Sequence, residues 1–349
     1  LDRANGTSFF DNFQLRKTYD DDDTSSCHDA QLPSQAPKKS AESPQSTTTH
    51  AAPSTASTDD GLLTLAVPLT YDRLPRLQTL LEHYISGPVV AAILIRTSEQ
   101  LALAEDYIAH SPCLRDPRIL IAFFSLPSRA TIPLNALRNR AIALARTEFV
   151  MMLDVDMMPS EVVRFHCFAC SFGWLVKGSS TANLDRVAFV VPVFILDVDV
   201  KPPRSKAELL SILHNRAGAP YCHDSQKAVN FDRWFRGDRL PYEISYSTDF
   251  EPYMIVRKSA MPLFDERFEG YGFNKVSWSW HALQEGFRFV VLPDVFVTHL
   301  NHLENSWLQS ISKEMYLKTW RRYLAFVAEK VLSGRSSASG SFEFGRGRD

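Results

Sequence analysis

Three scarcities narrow what this chain can be. Five cysteines in 349 residues are too few to staple the fold with a disulfide framework. They leave room for one or two bridges in a luminal setting. Cys167 and Cys170 have the spacing of a metal or redox pair, but no second cysteine pair follows, and Phe165 and Phe168 beside them favour a buried helical turn. No apolar run approaches the length that spans a bilayer, and no secretory signal opens the chain. It begins at Leu1, so an upstream anchor lies within the possibilities. A strong excess of charge is also missing: the formal net charge is -2, and nothing in it calls for a nucleic-acid partner.

What is present divides unevenly. Residues 1–60 carry an acidic run, Asp20 to Asp23, followed by a stretch of mostly Ser, Thr, Pro, Ala and Gln. Such a segment buries too little apolar area to offset its ordering entropy, and is expected to be a disordered stalk or linker. Its ten acidic and five basic residues leave 33 basic and 30 acidic in the remaining body, which suits an anionic small ligand. Asn5-Gly6-Thr7 has the pattern of an N-glycosylation acceptor, a short match that arises often by chance.

In the body, apolar strands at 62–69, 89–95 and 118–124 alternate with helical spacing at 74–84, 98–109 and 133–146. A fourth strand runs through Phe149-Val150-Met151-Met152-Leu153 and ends in Asp154-Val155-Asp156, with Pro159 turning the chain outward. Strand and helix in alternation predict an α/β domain with a mostly parallel central sheet and helices on both faces. Ligands of such sheets bind beyond the carboxyl ends of the strands, where the Asp pair falls. Two carboxylates closing an apolar run suit a divalent metal that a nucleotide diphosphate also ligates; a capping Asp is the plain alternative. Further strands are expected at Phe189–Leu196, Tyr253–Arg257 and Phe287–Leu292, and a helix at Lys206–Leu213. Asp197-Val198-Asp199 repeats the Asp-Val-Asp spelling in what reads as an exposed turn.

Four ordered blocks make a more specific pattern. They are Asn135-Ala136-Leu137-Arg138-Asn139, the Asp154–Ser160 run, Pro203 to Leu210 with Lys206 and Glu208, and Asp249-Phe250-Glu251-Pro252-Tyr253 continued by Phe264 to Phe268 and Tyr271 to Lys275. With them, residues 61–325 resemble glycosyltransferase family 49, whose members act on the dystroglycan glycan; residues 326–349 are expected to be a variable, flexible tail.

The resemblance implies a GT-A glycosyltransferase fold. It also implies an inverting, Mn²⁺-dependent transfer of a sugar, glucuronic acid foremost, from a UDP-sugar to an oligosaccharide or glycoprotein acceptor. Xylosyl or N-acetylglucosaminyl transfer, or a non-catalytic glycan-binding relative, are the alternatives. Asp154, Asp156 and His299 are the implied metal ligands, with His302 as the local competitor. Arg138, Asn139, Asp154 and Asp156 are implied at the donor, although Arg138 and Asn139 also suit a solvated helix face. The base for the acceptor hydroxyl falls among Asp249, Glu251 and His281, because the family's acidic residue after Asn274-Lys275 is replaced here by His281. Asp265 and Arg267 read as a structural turn. A luminal catalytic domain on a Golgi membrane, held by an anchor upstream of this chain, completes the expectation.

Overall fold

A computed structural model describes residues 63–84, 87–125, 131–161, 184–221, 224–237, 240–300 and 312–338. The stalk expected at 1–60, Cys167, Cys170 and His302 lie outside these residues.

The first half follows the sequence pattern closely. Strands β1 (Leu63–Thr70), β2 (Val89–Ile95), β3 (Ile119–Ser125) and β4 (Phe149–Met152) alternate with helices α1 (Leu74–His83), α2 (Ser98–His110) and α3 (Leu134–Leu144). Strands β1, β2 and β4 are almost wholly buried, as apolar runs covered on both faces must be. Helix α3 buries polar as well as apolar positions: Asn135, Arg138 and Asn139 share the inward face with Leu137, Ala141 and Ile142. A buried polar face needs partners, and they turn out to define the site.

The chain continues through β5 (Met157–Pro159), β6 (Val187–Val191), β7 (Val193–Leu196), α4 (Lys206–His214), β8 (Gly218–Pro220), α5 (Phe231–Phe235), β9 (Tyr242–Ile244), β10 (Tyr253–Arg257), α6 (Asn274–Gln284), β11 (Arg288–Val291), β12 (Val297–His299) and α7 (Lys313–Ala338). Eight strands form one sheet in the order β3-β2-β1-β4-β10-β6-β11-β9, and four form a second, β5-β12-β7-β8.

The large sheet is mixed, which corrects the expectation of a mostly parallel one. Pairings among β1 to β4 are parallel, but β10 runs antiparallel between β4 and β6, and β9 antiparallel to β11. Because β10 enters at the edge where β4 ends, its first residue, Tyr253, starts beside the Asp pair. Two local expectations also change. The expected strand Phe189–Leu196 is broken at Pro192, which has no N–H to continue a ladder, and its halves join different sheets. Pro159 does not end the metal strand: β4 stops at Met152, before the Asp pair, and Pro159 closes the short β5.

Helix α7 crosses residue 325, where the sequence reading ends the domain. Phe326 is buried there, edge-on to Phe268 at 5.8 Å. A second apolar cluster of Phe268, Phe273, Val276, Tyr316, Tyr323 and Phe326 fastens α7 to α6.

Candidate active site

Asp154 and Asp156 occupy a tight turn between β4 and β5. The Leu153 N–H donates to the Ala66 carbonyl on β1 at 3.0 Å, and the Met157 N–H donates to the Asp154 carbonyl at 3.1 Å, so both ends of the turn are tied down. Strand β12 then pairs antiparallel with β5, with His299 opposite Met157. One residue on, the Leu300 N–H donates to the Asp156 carbonyl at 3.0 Å. This register brings His299 Nε2 to 3.8 Å from Asp156 Oδ2. The same oxygen lies 3.5 Å from Arg73 Nη1, at the end of the 3₁₀ turn Tyr71–Arg73 that follows β1.

Asp154 faces a different set of partners. Its Oδ1 accepts from Arg138 Nη2 at 3.2 Å, and its Oδ2 accepts from the Tyr253 hydroxyl at 2.6 Å and from Lys275 Nζ at 3.3 Å. Burial alone would push the Asp154 carboxyl upward, but the charges of Lys275 and Arg138 outweigh it and hold the group at about 2. Burial and the neighbouring carboxylates push the Tyr253 phenol upward, so it remains a donor. Lys275 lies over the Tyr253 ring, 4.6 Å from its centre, and its Nζ is 4.0 Å from Glu251 Oε2. Three carboxylates, Asp154, Asp156 and Glu251, thus meet three cations, Arg73, Arg138 and Lys275.

Of the other residues singled out in the sequence, Arg138 belongs to the cluster and Asn139, Lys206 and Asp265 serve as braces. Arg138 is 1% exposed, its Nη1 donating to Asn135 and Asn274 side chains at 2.9 Å each, so it supports Asp154 from within the core. Asn139 braces the 264–266 loop, donating to the Phe264 carbonyl and accepting from the Phe264 N–H, both at 2.9 Å. Lys206 donates to the Trp234 and Pro293 carbonyls and sits 3.8 Å over the Trp234 ring, a brace for the middle segment. Asp265 accepts from the N–H and the guanidinium of Arg267, as a structural turn should.

The three base candidates separate. Glu251 joins the cluster through Lys275, and its backbone is fixed by Gln226, which donates to its carbonyl at 2.8 Å. Asp249 sits two residues earlier at a positive φ of 64°. His281 is turned toward α7: its Nε2 is 2.8 Å from Lys330 Nζ, its ring is edge-on to Phe326, and it also pairs with Glu285 on its own helix. Burial and Lys330 lower its affinity for a proton. The structure therefore brings together Asp154, Asp156, Glu251 and His299, and does not bring in His281. Asp197 and Asp199 are exposed in their turn.

Sequence reasoning missed Arg73 and read Tyr253 and Lys275 only as parts of blocks. Each meets its carboxylate across the sheet from a distant stretch of chain, a relation that no local spacing encodes.

A divalent ion fits part of this arrangement. Among the described residues, no group of three His, Cys, Asp or Glu side chains is arranged to hold one. Asp154 has both oxygens engaged by its own cations and Tyr253, whereas Asp156 and His299 face each other as an oxygen and nitrogen pair acceptable to Mn²⁺. The remaining ligands would come from outside the protein, as phosphate oxygens and water do for such ions.

Residues 122–322 match the family described as "Glycosyl-transferase for dystroglycan". The chain is 30% identical over 292 residues to mouse (Mus musculus) xylosyl- and glucuronyltransferase LARGE2, covering 80% of this chain and 39% of that protein. It is 31% identical over 254 residues to glycosyltransferase-like protein gnt14 of Dictyostelium discoideum, covering 70% of this chain and 38% of that one. The chain thus spans about two fifths of the length of these relatives. Among solved structures, GalNAc-T7 with UDP, GalNAc and Mn²⁺ is similar at 13% identity and a TM-score of 0.46, over 75% of this chain and 47% of that one, too distant to transfer any residue's role. With the family match running from β3 through the Asp turn and His299 into α7, the chain belongs to the dystroglycan glycosyltransferase family and carries a glycosyltransferase fold.

Proposed function

We propose that this chain is the catalytic domain of a GT-A, metal-dependent inverting glycosyltransferase that moves a sugar, glucuronic acid foremost, from a UDP-sugar to a hydroxyl of a glycan acceptor. The observation that carries the reading is the convergence of His299 Nε2 and Asp156 Oδ2, set by the pairing of β12 with β5 beside the carboxyl edge of the large sheet. Asp156 and His299 would hold the ion, and the donor's diphosphate would complete its shell. When bound, the ion supplies Lewis acidity that offsets charge on the departing diphosphate.

The protein's own groups do the rest. Asp154 is kept ionised by Lys275 and Arg138 and holds the turn in place. Glu251, paired with Lys275 and anchored by Gln226, is the base that takes the acceptor hydroxyl's proton. Lys275, between Asp154 and Glu251, keeps the two carboxylates from repelling each other. Glucuronyl transfer and a Golgi-luminal location behind an upstream anchor follow the relatives' named activity and the stalk-like composition of residues 1–60.

The test is UDP release in the presence of Mn²⁺ across UDP-glucuronic acid, UDP-xylose, UDP-N-acetylglucosamine and UDP-galactose. Release from UDP-glucuronic acid alone is expected. Preference for another donor would overturn the choice of sugar, and neither turnover nor heat stabilisation by Mn²⁺ plus UDP would overturn the enzyme reading.

A further inference from the structure

We propose that Arg73 is a displaceable stand-in cation: its guanidinium neutralises Asp156 until a divalent ion arrives, then turns to grip the donor's diphosphate. This rests on the donor-site reading above and adds a binding residue to it. Strand β1 leaves the sheet through one 3₁₀ turn, and Arg73 is the last residue before α1, whose Pro75 stiffens the first turn. Its backbone is therefore fixed between strand and helix.

The side chain is not fixed in the same way. Its contact with Asp156 is 3.5 Å, beyond the usual range for a charge-assisted hydrogen bond, and it has no other ion pair or hydrogen bond among the described residues. It is 29% exposed. Arg138 gives the contrast, being 1% exposed and hydrogen-bonded to Asn135, Asn274 and Asp154. A guanidinium carries a fork of donors shaped for carboxylate or phosphate, and Arg73 leaves that fork unused.

Arg73 and His299 converge on the same oxygen, Asp156 Oδ2. An ion entering between Asp156 and His299 must share that oxygen with the guanidinium, and like charges at such range repel. Displaced by that repulsion, the fork remains tethered beside the ion, where the diphosphate arrives. The three cations and three carboxylates of the cluster balance in its absence, and the charges of ion and diphosphate offset each other when both bind.

The experiment measures binding, not turnover: titration calorimetry of Mn²⁺ alone, then of UDP at saturating Mn²⁺, for the wild type, Arg73→Gln and Arg73→Lys. Arg73→Gln is expected to bind Mn²⁺ alone about threefold tighter or more, because the competing charge is gone. It should bind UDP about tenfold weaker, having lost the fork. Arg73→Lys keeps a charge, so its Mn²⁺ affinity should stay near wild type while its UDP affinity falls between the other two. Unchanged or weaker Mn²⁺ binding by Arg73→Gln, or unchanged UDP binding, overturns the role of Arg73 and leaves the enzyme reading standing. A wild type that binds neither Mn²⁺ nor UDP overturns both. Melting temperatures without ligand separate loss of the fork from loss of the fold, and Arg73→Lys retains the test if Arg73→Gln unfolds.

Discussion

The Tyr253 hydroxyl donates a 2.6 Å hydrogen bond to Asp154 Oδ2, tying the first residue of an antiparallel strand to the turn that ends a parallel one. The contact exists because β10 is threaded backward beside β4. Its removal leaves the carboxylate short of one donor while Lys275 Nζ, 3.3 Å from the same hydroxyl, loses an acceptor. Tyr253→Phe should cost about 1–2 kcal/mol of stability in a urea titration. It should also weaken Mn²⁺-dependent UDP binding, since the turn carries Asp156. An unchanged urea midpoint would show that the hydroxyl is dispensable.

Asp154 has a sign that can be worked out. Its folded-state value of about 2 lies below its ordinary 3.8, so the ionised form is favoured by folding. The stabilisation is present above about pH 4 and is lost as pH falls through about 2, on the order of 2 kcal/mol for a shift of this size. Asp154→Asn should be less stable than wild type at neutral pH, because Arg138 is left buried against a neutral partner. The difference should narrow toward pH 2. Stability of wild type and variant measured from pH 7 to pH 2 checks this, and parallel profiles would refute it.

Asp156→Asn and His299→Ala should separate folding from metal capture. Neither side chain is deeply packed, being 16% and 27% exposed, so the unliganded melting temperature should move by only a few degrees. Heat stabilisation by Mn²⁺ plus UDP should vanish in both. Full stabilisation of His299→Ala would remove the histidine from the ion's shell.

The pattern of legibility in the sequence has a physical cause. Val89–Ile95 is found over the span its apolar run indicates, because a strand buried on both faces announces itself in consecutive residues. The block Asn135-Ala136-Leu137-Arg138-Asn139 is visible as a family signature, but the burial of Arg138 and Asn139 is not. Their partners, Asp154, Asn274 and the Phe264 backbone, come from elsewhere in the chain. The direction of β10 was likewise hidden: Tyr253–Arg257 reads the same whether it pairs parallel or antiparallel. Resemblance singled out Asp156 and His299, which the structure places 3.8 Å apart, whereas the positions of Arg73 and Lys275 depend on the way the sheet edge gathers distant loops.

Glu251 and His281 make opposite predictions. Glu251→Gln should abolish sugar transfer while leaving Mn²⁺-dependent UDP binding near wild type, since it removes a base and not a donor contact. His281→Gln should leave the pH profile of transfer unchanged, because the imidazole is engaged with Lys330 and Phe326 on α7. Pre-steady-state measurements of UDP release and acceptor glycosylation from pH 5 to pH 8 distinguish them. Loss of the acidic limb in His281→Gln would return His281 to the mechanism.

Helix α7 tests where the domain ends. Phe326 is 2% exposed and packs edge-on to Phe268, Trp280 and His281. Phe326→Ala should cost about 3–5 kcal/mol, the usual loss for a buried aromatic. Glu329, one turn on, pairs with Arg267 at 2.8 Å where both side chains are about half exposed, so Glu329→Ala should barely move the midpoint. A chain ending at residue 325 loses both contacts and should be destabilised at least as much as Phe326→Ala. Urea titration of the three variants decides the matter. If the shortened chain matches Glu329→Ala, the segment beyond 325 is a dispensable tail; if it matches Phe326→Ala, the helix that packs against Phe268 is part of the folded domain.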